Sequence, residues 1–500
     1  MNLVYIIGID IGTTNSKVAL FSAKGFKQEK LYRFETGKKI NKDETDFDLD
    51  QIWLNLKRGI KEVSNEIKEK NKIVGISIAS VGESGVLLDS HNRRIGPAIA
   101  WFDPRGREYI KKLEKKNALN KIYRITGIPP HSNYSLPKIL WIRNKYPESN
   151  KHDVTWLCLA NYFAFLLTGK KTTEVTLASR TLAFDIEKND WSEEILESVH
   201  LDRTIFPPLV RSGEPIGHLT KEIAEELMLN KETMVAVAGH DHMVGSLSVG
   251  LNPNNELLNS TGTTEGLLII QEKPNLSAES LNCKLSNGVY VRPGYYSYFG
   301  SLPSVGYSIN WARNLFGFNV SLLNEGLQSI LNVYQSGGFN KKEILFIPHI
   351  RGSGPPIRST QSKGLIYGFD DKTTREDIIF GLFLGLCFEL KNLFLIFKKL
   401  SHLEKPIVKV IGPAALNPLW LQLKADVLGC DVYAYEIEEA VAKGAAISFA
   451  YSQNLIKQTN DFVNEKVTIY HPNKLKTEQF DGLFQSKYLH LLKAKNQIEN

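Results

Sequence analysis

The sequence predicts an α/β fold built as two related halves that face one another across a cleft. Three observations carry that expectation. Strand-like apolar runs alternate with helix-period segments along the chain, the pattern of an α/β architecture. The stretch IIGIDIGTTNSKVAL at 6–20 has an echo, LLNSTGTTEGLLII, at 257–270, and both place an apolar run, a Gly-Thr-Thr turn and a second apolar run. The 500 residues are too many for one ordinary core, so two large domains are expected. No Pro/Ser-rich linker separates them, and the boundary lies at the end of AGHDHMVGSLSVGLNPNN (238–255), with the domains taken as 1–250 and 251–500.

Taken in order, VYIIGIDIG and SKVALFS are β-rich runs joined by Gly-Thr-Thr and read as a hairpin. Residues 48–67 carry apolar residues at helical spacing behind an aspartate-rich start suited to capping. KIVGISIA at 72–79 is a buried strand leading into the outward turn SVGESG, and helices follow near 155–168 and 192–199. In the second half, NELLNSTGTTEGLLII is again strand, polar turn, strand. EILFIPHI (343–350) and PIVKVIG (406–412) are further strands, and helices cover 375–400 and 418–428. Asn417 suits the N-cap of the last of these, Pro418 its first position and Gly429 its stop.

Composition excludes several classes. The net charge of +7, from 61 basic and 54 acidic residues, is spread along the chain, and its clusters alternate sign as solvated helix faces do. No basic stripe with interleaved aromatics marks a nucleic-acid surface. Four scattered cysteines form no C-x-x-C pair, which points to a reducing compartment, without a disulfide framework or a zinc site. The start has no signal-peptide pattern. The apolar segment 378–400 is broken by Glu389 and Lys391 and reads as a core helix, not a membrane span. The protein is expected in the cytoplasm.

A Gly-Thr-Thr turn exposes backbone N–H groups and adds hydroxyl donors, which is anion-binding chemistry. Gly12, Thr13 and Thr14 form the first turn and Gly262, Thr263 and Thr264 the second, a pair suited to clasping a polyphosphate. Asp10, two residues ahead of Gly12, is placed to hold a phosphate-bound Mg²⁺, and Lys17 on the returning strand adds positive charge if it faces the cleft. Two ordinary hairpins with Thr-rich turns are the alternative. Further on, VAVAGHDHMVG (235–245) runs an apolar strand into Gly239 and sets Asp241 at its end, where active sites of open α/β sheets gather. Capping of the next helix is the other reading of Asp241. His240 and His242 flank it without an evident third metal ligand.

GIDIGTTNSKVALF resembles the first phosphate loop of the sugar kinase, actin and Hsp70 ATPase superfamily. AIAWFDPRG (98–106), PKILWIRNKYP (137–147), TEVTLASRTLAFDIEKNDWSEEIL (173–196), the segment 216–250 and GPAALNPLWLQLKADVLGCDVYAYEIEEAVAKGAA (412–446) resemble, in the same order, segments of the FGGY carbohydrate kinases. The resemblance implies two ribonuclease H-like (actin-like ATPase) domains and an ATP- and Mg²⁺-dependent kinase of a small sugar, polyol or aldonate, in a family where dimers are common. It makes Asp241 the general base and His242 a substrate contact. Glu83 stands where glycerol kinases have Arg-Glu and xylulokinases Met-His, and the arginine is missing. Glu83, Trp101 and Asp103 are expected to form the acceptor pocket, with Asn133 or Tyr134 facing it; the other readings are core packing for Trp101 and a turn or salt bridge with Arg105 for Asp103. Gly412, Ala415 and Asn417 are expected at the nucleotide, where Pro413 and Ala414 replace two glycines of the usual Gly-Gly-Gly-Ala. A non-catalytic sugar sensor and an actin- or chaperone-like ATPase are the competing functions. Asp241 disfavours the first, and the sugar-pocket segments leave the second incomplete.

Overall fold

The structure, a computed structural model, describes residues 3–115, 118–151, 153–253, 255–262, 264–337, 343–458 and 466–499. Two mixed sheets organise the chain. The first comprises β1 (Tyr5–Ile11), β2 (Asn15–Ser22), β3 (Gln28–Glu35), β4 (Ile73–Ser80), β5 (Pro215–His218) and β6 (Met234–His240), in the order β5-β6-β4-β1-β2-β3. β1 and β2 form the expected antiparallel hairpin, while β4 runs parallel to both β1 and β6.

The second sheet comprises β7 (Glu256–Thr261), β8 (Glu265–Gln271), β9 (Ser286–Val289), β10 (Tyr296–Leu302), β11 (Ile407–Ile411), β12 (Val432–Tyr435) and β13 (Val467–Tyr470), in the order β9-β10-β8-β7-β11-β12-β13. β7 and β8 are antiparallel and β11 runs parallel to β7 and β12. β7, β8, β11 and β12 thus repeat the pattern of β1, β2, β4 and β6. In a parallel set the loops after each strand emerge at one end of the sheet. The first Gly-Thr-Thr turn, the 81–84 turn and Asp241 therefore share one end. The second turn, the 412–416 loop and the 436–439 loop share the corresponding end of the other sheet.

The helices that matter to the site are α1 (Leu49–Ser64), α2 (Ser135–Lys145), α3 (Leu159–Thr168), α4 (Val175–Ala178), α5 (Asp241–Leu247), α6 (Arg375–Leu400), α7 (Pro418–Leu428) and α8 (Ala440–Ser452). Asp48 caps α1 by accepting from Gln51 N, and Asn417 caps α7 by accepting from Trp420 N, with Pro418 leading and Gly429 closing in the left-handed region at φ 68°. α6 is long and apolar enough to cross a membrane, but 83% of its apolar window is buried inside the second domain, which makes it a core helix. The expected helix at 155–168 begins later. Thr155–Cys158 is a strand paired with Gly85–Leu88, since β-branched and aromatic residues there complete a small sheet before the helical stretch starts.

Each domain has its own core, one around Ile7, Ile78 and Trp156 and one around Leu257, Phe388 and Leu423. A third cluster is shared. Ile6, Ala79 and Ala238 of the first sheet pack with Leu258 and Leu268 of the second and with Ala442, Ala445 and Phe449 of α8. The approach of α8 to α5 leaves no space for side chains: a Cβ on Gly444 would lie 2.0 Å from the Val244 carbonyl oxygen. The small residues of AVAKGAA are therefore where the two domains are welded together.

Candidate active site

β6 delivers Asp241 to the start of α5, where the side chain is 19% exposed. Its Oδ1 accepts from His242 N at 2.6 Å. Burial pushes its pKa up to about 8, and the nearby negative charge of Asp10 adds to the rise, as does that of Glu83. The His242 N–H and Lys17 oppose it. Asp10 and Lys17 face each other as partners in the β1–β2 hairpin, and Lys17 Nζ donates to Asp10 Oδ2 at 2.8 Å. Lys17 also lies 3.9 Å from Glu439, at the functional end of the second sheet. Arg33 on β3 reaches Glu438 and Glu439 as well. The functional ends of the two sheets therefore meet, with Asp10, Lys17, Asp241 and Glu439 along the line of contact.

Asp10 Oδ1 is buried without a partner among the described residues. An uncompensated carboxylate oxygen at the foot of a phosphate-type turn fits a divalent cation carried by a nucleotide. No group of three or more His, Cys, Asp or Glu side chains among the described residues is placed to hold an ion by itself. The first turn is braced by Thr36, which donates to the Gly12 carbonyl at 2.8 Å, and by Trp101 Nε1, which donates to Thr13 Oγ1 at 2.9 Å. Thr14 is exposed. In the second turn Gly262 N donates to the Thr264 carbonyl at 2.9 Å, and Thr263 lies outside the described residues. Thr261 Oγ1 ties this hairpin to the nucleotide-type loop, donating to Ile411 O and accepting from Ala414 N. Gly412 adopts φ 86°, and a Cβ there would strike Thr261 O at 2.1 Å, so only glycine serves. Ala415 is buried behind this loop. Asn417 takes up the expected cap of α7, its side-chain oxygen accepting from Trp420 N.

On the acceptor side, Glu83 sits in the left-handed region at φ 65° with its carboxylate buried. Arg180, at the end of α4, places Nε at 2.8 Å and its terminal nitrogen at 2.7 Å from Glu83 Oε1, and its guanidinium lies 5.1 Å from the Tyr134 ring. Glu83 thus takes its arginine partner from 97 residues further along the chain. Arg180 lies inside a motif-like stretch but carries no local sign of its partner. Trp101 is half-buried, between pocket and phosphate turn. Asp103 corrects the expectation made for it. It is buried, Oδ1 accepts from Arg105 N and Nε, and Oδ2 accepts from Thr45 N and Arg105. Its lone pairs are used up, so it shapes the loop and offers nothing to a sugar hydroxyl.

Lys138, also missed, is wholly buried on α2 and donates to the carbonyls of Trp101, Ser132, Asn133 and Tyr134. Burial lowers its pKa to about 7. A lysine inside an otherwise apolar helical stretch was the available signal. His242 packs against Phe299 of the second domain in a tilted arrangement, with ring centres 4.9 Å apart.

Residues 5–248 match the family model of the FGGY carbohydrate kinase N-terminal domain, and residues 257–452 that of the C-terminal domain. The chain belongs to the FGGY family of carbohydrate kinases. It is a phosphotransferase acting on an alcohol group. It is 27% identical over 493 residues to a xylulose kinase of Staphylococcus epidermidis, covering 97% of this chain and 96% of the other. It is 26% identical over 405 residues to an L-fuculokinase of Escherichia coli K12, covering 80% and 81%. The fold superimposes with a TM-score of 0.88 on a gluconate kinase of Lactobacillus acidophilus, at 20% identity over 100% and 99% of the two chains. The two-domain actin-like fold expected from the sequence is therefore the fold of this FGGY kinase.

The site also makes a prediction about acid. Burial pushes the pKa of His131 and of His242 down to about 4 and that of His240 well below 6.5. An unfolded chain binds protons at these positions between pH 6.5 and 4 that the native state refuses, so each buried histidine costs stability as the pH falls through that window. Asp241 and Glu174, with pKa values raised to about 8 and about 7, act in the opposite direction. The difference between wild type and His131→Asn isolates one histidine. Thermal melts are expected to show the variant gaining on wild type between pH 6.5 and 4, and a constant difference would refute a neutral, half-buried His131.

Proposed function

We propose that this kinase transfers the γ-phosphoryl group of ATP to a hydroxyl of a small ketose, polyol or aldonate in the cytoplasm. In this reading residues 1–250 hold the acceptor and the base, and residues 251–500 hold the nucleotide. The observation that carries it is the position of Asp241, on the line where the functional ends of both sheets meet, between the Asp10–Lys17 hairpin and the Glu83–Arg180 pair. Asp241 takes the proton from the acceptor hydroxyl as its oxygen bonds to phosphorus and ADP departs. Gly12, Thr13, Thr14, Gly262, Thr263 and Thr264 offer donors to the phosphates. Gly412 and Ala415 leave room for the nucleoside. Asp10 is the residue to hold Mg²⁺, which when bound supplies charge neutralisation at the phosphates. Lys17 keeps Asp10 in place.

Glu83 Oε2 lies beyond the Arg180 clamp and accepts from acceptor hydroxyls, with Trp101 as an apolar wall and His242 beside the base. Closure of the domains about the shared core excludes water from the transfer. Among acceptors, the whole-length similarity to xylulose kinase supports a ketose first. A coupled ADP-release screen over pentuloses, hexuloses, alditols and gluconate tests the reading. Turnover of one of these classes is expected. Nucleotide binding without turnover of any of them would transfer the case to a sugar sensor.

A further inference from the structure

Asp241 has a neighbour whose placement the family mechanism does not explain. His240, 6% exposed, sets its Nε2 3.3 Å from Asp241 Oδ1, the same oxygen that accepts from His242 N. Its Nδ1 is buried with no partner among the described residues. The ring is neutral, because burial and the charge of Arg180 oppose its protonation. A neutral imidazole carries one N–H. With the proton on Nε2, the donor lies 3.3 Å from a carboxylate oxygen, close to it but not aligned for a hydrogen bond without ligands. With the proton on Nδ1, that donor is orphaned and an Nε2 lone pair faces a carboxylate lone pair. With Asp241 ionised, above its raised pKa of about 8, electrostatics therefore selects the Nε2–H form.

The root of the ring is fixed as well. His240 N donates to Thr176 Oγ1 at 2.8 Å, and Thr176 Oγ1 donates to the wholly buried Glu174 at 2.7 Å. The space for the ring comes from Gly82, since a Cβ there would lie 2.9 Å from His240 Cδ2, 3.1 Å from its Nε2 and 3.3 Å from Arg180 Cγ. A side chain larger than glycine at position 82 has no room in this arrangement. Gly82 and His240 act together: one vacates the volume that the other fills against the base.

We infer that His240 is a positioning residue that clamps Oδ1 of Asp241 through its Nε2–H, leaving Oδ2 as the oxygen that takes the acceptor proton. The inference rests on the kinase reading above. The clamp requires that substrate binding shorten and align the 3.3 Å approach, as catalytic hydrogen bonds commonly tighten from their ligand-free lengths.

Two measurements test it. Long-range ¹H–¹⁵N NMR of ¹⁵N-histidine-labelled protein without ligands, recorded above the raised pKa of Asp241 and with the His240→Gln variant for assignment, is expected to show His240 as the Nε2–H tautomer. An Nδ1–H tautomer overturns the clamp whether or not a sugar substrate has been found. In steady-state kinetics with the best acceptor of the screen, His240→Leu keeps the volume and removes the donor, and is expected to lower kcat roughly ten- to hundred-fold, the scale of a misplaced catalytic group. The KM for ATP should hold. His240→Gln, whose amide reaches towards the same oxygen, is expected to recover most of the loss, and Gly82→Ala, which displaces the ring, to resemble His240→Leu. Wild-type kcat in His240→Leu, or equal loss in the Leu and Gln variants at unchanged thermal midpoints, would show the ring to be packing alone. If wild type phosphorylates no acceptor, the kinase reading falls while the NMR result still decides the contact.

Discussion

Asp241→Asn is expected to lower kcat by ~10²–10⁴, the worth of a positioned general base, while the folded protein becomes no less stable. The two effects have one cause. The carboxylate sits in a poorly solvated place near Asp10, which is why its pKa rises to about 8. A group whose folded-state pKa exceeds its unfolded value of 3.8 contributes stability that is complete below the lower value and is lost as the pH climbs through the higher one. Asparagine fills nearly the same volume and accepts from His242 N in the same way, but carries no charge to be repelled. Thermal melts at basic pH should therefore place the variant at or above wild type, with nucleotide binding retained. A variant that loses kcat because it unfolds, or one that turns over at the wild-type rate, would remove Asp241 from the role of base.

The elements set by local chemistry were legible in the sequence. Both hairpins, the capped helix Pro418–Leu428 between Asn417 and Gly429, and the long helix Arg375–Leu400 carry their signals within a turn or two of themselves. The position of Asp241 was legible because a strand running into a helix start is a local pattern. What escaped was pairing at a distance. Glu83 and Arg180 are 97 residues apart, and nothing beside either names the other. The saturated state of Asp103 depends on Thr45 and Arg105, of which only the second is a sequence neighbour. The burial of α8 against the first sheet was hidden for a related reason. A helix rich in Ala and Gly announces close packing but not against which of two domains. The strand at Thr155–Cys158 was absorbed into the following helix because a short apolar run before a helical stretch has no periodicity of its own.

Lys424→Met is expected to destabilise the second domain by about 3–5 kcal/mol, the usual result of removing one partner of a buried ion pair. Lys424 and Glu265 are both fully buried, with Nζ 2.5 Å from Glu265 Oε1, and Nζ also reaches Asn259 Oδ1. Lys424 lies over the Trp420 ring at 4.6 Å. Methionine supplies the length of the side chain but leaves the Glu265 carboxylate in an apolar interior, where Oε2 already lacks a partner. The damage is expected to reach function, because Glu265 opens β8 directly after the second Gly-Thr-Thr turn while Lys424 belongs to the helix behind the nucleotide loop. The pair is the bolt between two elements assigned to the nucleotide, so the KM for ATP should rise more than the KM for the acceptor. Lys424→Met combined with Glu265→Leu removes both charges and is expected to recover most of the stability, giving a large coupling energy in a double-mutant cycle. Recovery of stability without recovery of the ATP KM would separate the two roles, showing that the ion pair is held for the register of the phosphate turn and not for the fold. Additive losses in the cycle would show instead that the two side chains do not depend on one another.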